Sequence, residues 1–153
     1  MTPTGSIEAI YIAGTVGAPM QHVGVATLVA GSGIRGDRNF RELEHDEQIT
    51  LIAVEEVARF NRETGLTIGA GDARRNLVTR GIALHELVGA RFRVGATTLV
   101  GIELCEPCAT LGKRLASPNV SAAQVVAAFV HRAGLRARIV AGGRIAAGDP
   151  VGR

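Results

Sequence analysis

The stretch GSGIRGDRNFRELEHDEQ, residues 31–48, decides between two folds. Its glycines at 31, 33 and 36 spell the G-x-G-x-x-G of a dinucleotide-binding turn, with Glu55 and Glu56 following at roughly the 20-residue spacing of a ribose-binding acid. That turn requires the third glycine to open a helix docked on a sheet. Between Asp37 and Gln48 only Phe40 and Leu43 are apolar, so a helix here has no face to bury. The segment from Gly31 to Glu47 is therefore expected to be a long functional loop, and a doubly wound parallel sheet loses its phosphate-binding turn.

Outward from that loop, short strands dominate. SIEAIYIAG (6–14) alternates and stops at Gly14; HVGVATLVAG (22–31) reads as a second strand ending at Gly31. QITLIAV (48–54) is a β-branched run that passes into EEVARFNRETG (55–65), where Val57, Ala58 and Phe60 have helical spacing and Gly65 is a stop. LHELVG (84–89) is one helical turn, RFRVG (91–95) a strand, and TTLVGIELC (97–105) another with Thr97 and Thr98 at its turn. ATLGKRL (109–115) is a short helix ended by Ser117-Pro118. NVSAAQVVAAFVHRAG (119–134) is a helix capped by Asn119 or Ser121 and closed by Gly134. LRARIVAGGRIAAGDPV (135–151) reads as two strands joined by a hairpin at Gly142-Gly143. The expected fold is mainly β, α+β by content: a closed or nearly closed β-barrel with inserted helices, in a single domain spanning 1–153.

Composition agrees with one core: 46% of 153 residues are hydrophobic and 20% charged. Aromatic residues are only 3%, so Val, Ile, Leu and Ala must fill the interior, and a base-stacking nucleic-acid surface is disfavoured. The 17 basic residues, almost all Arg, exceed 14 acids and favour small anionic partners, since the guanidinium fork matches carboxylate and phosphate oxygens. No charged leader with a long apolar stretch opens the chain, and no run approaches a membrane span, so a cytoplasmic protein is expected.

Arginines concentrate in two loops. Arg35, Asp37, Arg38 and Arg41 crowd beside the glycines of the first, an arrangement that suits an anion; the plainer reading is a solvated turn with Asp37 paired to its neighbours. DARRNLVTRG (72–81) adds Arg74, Arg75, Asn76 and Arg80, and two such loops in one small domain favour a shared anion site. The plainer reading leaves Arg74 and Arg80 in solvent with Asn76 supporting a turn. His22, His45, His85 and His131 lie too far apart to complete a zinc site, and His131 suits a helix C-terminus as a surface residue.

The chain's two cysteines fall in ELCEPCATLGKR (103–114). Pro107 suits the first position of the helix that follows, and Cys108 then falls in its first turn. Unpaired amides there, with Lys113 and Arg114 near, lower a thiol pKa, so Cys108 is the better nucleophile or soft-metal ligand. Cys105, at the end of an apolar strand, reads as a buried small hydrophobe. A structural pair, a C-x-P-C thiol-disulfide couple and a basic nucleic-acid-binding barrel remain as alternatives.

GIRGDRNF (33–40), RRNLVTRGI (74–82), LVGARFRVG (87–95) and LCEPCATL (104–111), in that order, resemble the MOSC domain family, named after the C-terminal domain of molybdenum cofactor sulfurase. The resemblance runs from about Gly24 to the closing strands and implies a β-barrel. It implies that Pro107, Cys108 and Leu111 match a Pro-Cys-x-x-Leu element whose cysteine is a sulfur carrier or molybdenum ligand. Gly36, Asp37 and Arg38 match a Gly-Asp-Arg element, and Asn76, Leu77 and Gly81 match Asn-Leu followed by Gly. By the same resemblance Gly36, Asp37, Arg38, Arg75, Asn76, Arg80 and Gly81 surround the thiol and bind the anionic pterin of molybdenum cofactor (molybdopterin). Asn39 and Arg75 stand where the family commonly has His and Glu. The pyridoxal-phosphate domain of the sulfurase is not expected in this chain, so an external sulfur donor or electron-transfer partner is implied, serving a sulfurtransferase-like or molybdenum-dependent oxidoreductase-like activity.

Overall fold

The computed structural model describes residues 4–153. Its strands are β1 (Gly5–Ile12), β2 (Gln21–Val23), β3 (Val25–Val29), β4 (Gly33–Ile34), β5 (Ile49–Ala53), β6 (Leu77–Arg80), β7 (Arg91–Val94), β8 (Thr97–Leu104), β9 (Leu135–Ala141), β10 (Gly143–Ala146) and β11 (Pro150–Gly152). The helices are α1 (Val54–Thr64), α2 (Ala109–Leu115) and α3 (Ala122–Phe129), with one 3-10 turn at Leu84–Leu87.

Strands β1, β11, β7, β8, β9, β5 and β6 follow one another around a closed barrel, since β6 and β11 both pair with β1. Closure removes the free edges that an open sheet of this length exposes. Among the described strands only β5 and β6 run parallel, and the crossover such a pair requires is supplied by α1 and the loop after it. A second sheet of order β10-β3-β4 sits beside the barrel.

The QITLIAV run is apolar on both faces because both faces of β5 are covered. Leu51 joins Ile10, Leu77, Leu99 and Leu135 in the barrel interior. Ile52 faces the other way, into an outer cluster with Val57, Phe60, Leu111, Val125 and Phe129 contributed by the three helices. Phe60 and Phe129 stack with centroids 4.2 Å apart, fastening α1 to α3. Gly65 closes α1 at φ 77° with its N–H donating to Asn61 O, as its position predicts.

Three local expectations are corrected. HVGVATLVAG is two strands in two sheets: Val23 pairs with Ile10 of the barrel, whereas Val25 pairs with Ala146 of the small sheet, and the chain changes sheet at Gly24. Gly142-Gly143 makes no hairpin either, because β9 pairs with β8 and β5 while β10 pairs with β3. The glycines serve a close crossing instead, where a Cβ on Gly142 would overlap Leu28 O. Helix α3 begins at Ser121, whose capping box with Gln124 is complete, but ends at Phe129, short of Gly134. Gly134 has φ 115° and lies against Leu51 O, so its missing side chain serves barrel packing, not a helix cap. Thr97 stands at the turn as expected: it opens β8, pairs with Val94 across Gly95-Ala96, and its buried hydroxyl donates to Val94 O at 2.7 Å.

Candidate functional site

Strand β8 delivers Cys105 into the outer wall of the barrel, 4% exposed, with its N–H donating to Gly134 O at 2.8 Å. Burial pushes its thiol pKa up, against the weaker opposing pull of Arg75 and Arg136. Cys108 is exposed and is the N-cap of α2, at φ −111° and ψ 168°, two positions earlier than the helix reading of Pro107 placed it. The helix starts at Ala109 because the Cys108 carbonyl takes the first helical bond, from Gly112 N at 3.1 Å. No side-chain hydrogen bond of standard geometry closes the cap. The amide of Leu111 nonetheless lowers the Cys108 thiol pKa most, followed by the Thr110 amide and the Arg75 charge, with burial opposing. The accessible cysteine is thus the one shifted toward the thiolate, and the buried one is shifted away from it.

The loop between them is anchored by Glu106. Its Oε1 accepts from His131 N at 2.7 Å and its Oε2 lies 2.7 Å from His131 Nδ1. His131 has left the helix and adopts φ 62°, which presents its amide and its ring to one carboxylate. It stands directly after Val130, the C-cap of α3, and is exposed, as expected of a surface residue near a helix C-terminus.

The two arginine loops meet. The Asp37 carboxylate accepts from Ala13 N at 3.1 Å, Arg38 Nη1 at 3.0 Å and Asn39 N at 3.3 Å, and Arg38 Nη2 donates to Arg74 O at 3.1 Å. Gly36 precedes this node at φ 83°, turning the chain so that Asp37 N donates to Ile34 O. Arg74, itself at φ 63°, has its pKa lowered by burial and then by the charges of Arg114 and Arg38, with Asp37 opposing. Three guanidiniums from three segments converge beside a cleft of about 730 Å³ bounded by Tyr11, Met20, Leu66, Asp72, Arg74 and Arg114. Arg75 turns to the thiol side, with Nε donating to Ala133 O at 2.8 Å.

The remaining expected residues lie elsewhere. Asn76 is fully buried: its Oδ1 accepts from Thr50 N at 3.1 Å and Thr50 Oγ1 at 3.3 Å, and its Nδ2 donates to Tyr11 O at 3.1 Å. Its side chain is committed to joining β1, β5 and β6. Arg80 and Gly81 stand at the other end of β6, roughly 15 Å along the strand. There Arg80 pairs with both oxygens of Glu8 at 2.9 and 3.0 Å, and Gly81 N donates to Glu55 Oε2 at 2.8 Å. Arg114 was read only as a neighbour of the thiol. The sign of its second role is helical phase, since it follows the buried Leu111 by three positions and shares that side of α2.

The MOSC domain profile matches residues 28–152. The crystal structure of the YUAD protein from Bacillus subtilis is similar at TM-score 0.86 and 21% identity, covering 97% of this chain and 94% of that one. YiiM from Geobacillus stearothermophilus is similar at TM-score 0.73 and 16% identity, covering 97% and 74%. YiiM from Escherichia coli follows at 0.69 and 18%, covering 99% and 69%. At these identities the likeness is one of fold. No curated protein matches the chain. Among the described residues no helix is long and apolar enough to cross a membrane.

Proposed function

The chain belongs to the MOSC domain family, and from that premise we propose that it binds molybdenum cofactor (molybdopterin) and works through the Cys108 thiolate, in sulfur transfer or in molybdenum-dependent reduction. The observation that supports this most is the pairing of an exposed cysteine of lowered pKa with arginines gathered from separate segments. Arg38 has both terminal nitrogens engaged, by Asp37 and by Arg74 O, and acts as a brace. Arg74 and Arg114 form no ion pair among the described residues, so their mutual repulsion is relieved when an anion such as the pterin phosphate enters. Arg114 stands six positions after Cys108, roughly 9 Å along the helix axis, a separation suited to a ligand with its phosphate and its sulfur at opposite ends.

The donor chemistry fits the cofactor. A thiolate is a soft ligand that suits molybdenum or sulfane sulfur. Among the described residues no cluster of three or more His, Cys, Asp or Glu side chains is placed to hold a metal by itself, so a metal at Cys108 would depend on donor atoms that the cofactor brings. When bound, the cofactor supplies redox chemistry at molybdenum. The chain's own part is to favour the thiolate form of Cys108, through the Leu111 and Thr110 amides and Arg75, and to hold the loop through Glu106 and His131. As a sulfur carrier, the Cys108 thiolate attacks the outer sulfur of a donor persulfide; one S–S bond forms as another breaks, and the donor leaves as a thiolate with no net oxidation.

The test is expression in a cofactor-producing host. Pterin fluorescence and molybdenum should accompany the purified protein; Cys108→Ala should lose the metal or the sulfur, and Cys105→Ala should retain most of it. Folded protein with neither signal overturns the reading. A redox couple of both thiols is less well supported, because Cys105 is buried with its pKa raised.

A further inference from the structure

The outward face of β7, β8 and β9 lies away from the helices and carries arginines in register. Arg91 pairs with Val100 and Val100 with Arg138, giving one row across three strands, and Arg93 pairs with Thr98 beside it. Their sequence neighbours Phe92, Val94, Leu99, Ala137 and Ile139 are buried, so strand alternation turns this set to solvent. Arg91 and Arg93 are exposed and form no ion pair among the described residues. Arg138 has only Glu44, at 3.8 Å between half-exposed groups, a contact that water screens. Val100 and Val140 supply an apolar centre, the latter 42% exposed.

One edge of this face adjoins the thiol loop. Arg136 is paired with Glu103 at 2.8 Å, Leu135 pairs with Leu104, and the next residue on β8 is Cys105, tied to Gly134. A body resting on the arginine rows therefore reaches the 105–108 loop without crossing the helical side of the barrel.

We propose that the outward face of β7–β8–β9 docks an acidic protein, whose edge is thereby brought to the Cys108 loop. The docking stands on the charge pattern alone; the purpose of reaching Cys108 rests on the function proposed above. Charge complementarity names the partner's sign, and the valines within an arginine rim follow the apolar-centre, polar-rim order of protein interfaces. Nucleic acid is the weaker occupant, because no aromatic ring stands on these strands' outward positions to stack a base. The face is small, which suits a transient encounter whose rate falls with salt.

The experiment measures binding of fluorescently labelled poly-L-glutamate to the full chain by anisotropy, with a duplex DNA oligonucleotide alongside. Arg91→Glu with Arg93→Glu should weaken poly-L-glutamate binding at least about tenfold while molybdenum content stays unchanged. Bound poly-L-glutamate should also slow alkylation of Cys108 by a bulky maleimide. Both arginines are exposed, and the Gln double variant serves if the Glu one unfolds. Binding that survives these changes but is lost in Arg74→Ala with Arg114→Ala overturns the proposal by assigning the anion to the cleft. Tighter binding of the DNA, lost in the same β7 variants, overturns it in favour of nucleic acid. If molybdenum is absent throughout yet the β7 variants lose poly-L-glutamate, the docking face stands and the cofactor reading fails.

Discussion

Arg38 reaches across 36 residues of chain to donate from Nη2 to the carbonyl oxygen of Arg74 at 3.1 Å. Its Nη1 is held by Asp37, whose Oδ1 also accepts from Ala13 N, so one buried carboxylate fixes β1's exit and both arginine loops. Asp37→Ala strands a buried amide and an arginine only 14% exposed. The expected loss is about 3–5 kcal/mol in urea unfolding, and Asp37→Asn, which keeps an acceptor, should lose less. An Asp37→Ala protein of unchanged stability would remove the carboxylate from the frame.

Asn76 is the second such element. Asn76→Ala leaves Thr50 N–H and Tyr11 C=O without partners where β1, β5 and β6 meet. It should cost about 2–4 kcal/mol, read by chemical denaturation. Molybdenum bound per folded molecule should be unaffected, because no atom of this side chain is free to take a ligand. Metal loss without loss of stability would restore Asn76 to the binding set.

The two thiols should titrate in opposite directions from the ordinary value of about 8.5. Cys108 is lowered by the Leu111 amide first, so iodoacetamide should label it below that pH, and Arg75→Ala should move its labelling profile upward. Cys105 is raised by burial and should label only on unfolding. The linkage signs follow. The Cys108 contribution to stability is present above the unfolded pKa and fades as pH falls through its folded value. The Cys105 contribution is present below the unfolded pKa and fades as pH rises through its folded value. Cys105→Ala should therefore flatten the alkaline decline of stability, and Cys108→Ala the rise that precedes it. Labelling of Cys105 before Cys108 in the native protein would reverse the assignment.

Local pattern carried much of this fold. The QITLIAV run into EEVARFNRETG is readable because strand period, helix period and Gly65 all act within a few residues of each other. Pairing partners are not local: nothing around Gly24 or Gly142-Gly143 states that the chain changes sheet there, since the reason lies in strands far away in sequence. The site divides in the same way. Cys108 is legible from the short helix after it, although that helix starts two residues later than Pro107 suggests. Asn76 looks like a ligand because it stands among arginines, and only the strands around it show that its polar atoms are already used. Glu106 carries no signal of its own, because its partner His131 is 25 residues away.

Arg74 separates stability from binding. Its φ of 63° is left-handed, a conformation that costs an L-residue about 1–2 kcal/mol, whereas glycine adopts it freely at a cost of about 0.5–1 kcal/mol in chain entropy. Arg74→Gly keeps the backbone carbonyl that Arg38 uses and removes the guanidinium that faces Arg38 and Arg114. Its stability should be unchanged or raised by up to about 1 kcal/mol, and Arg74→Ala, which keeps the strain, should fall below it by a similar amount. Molybdenum and pterin content should fall together in both variants, by about tenfold at limiting cofactor, because a charge-assisted fork to phosphate is lost. Thermal unfolding and metal analysis on the same preparations read the two effects separately. An Arg74→Gly protein that is stable and fully loaded would show that the strained arginine serves the loop and not the ligand.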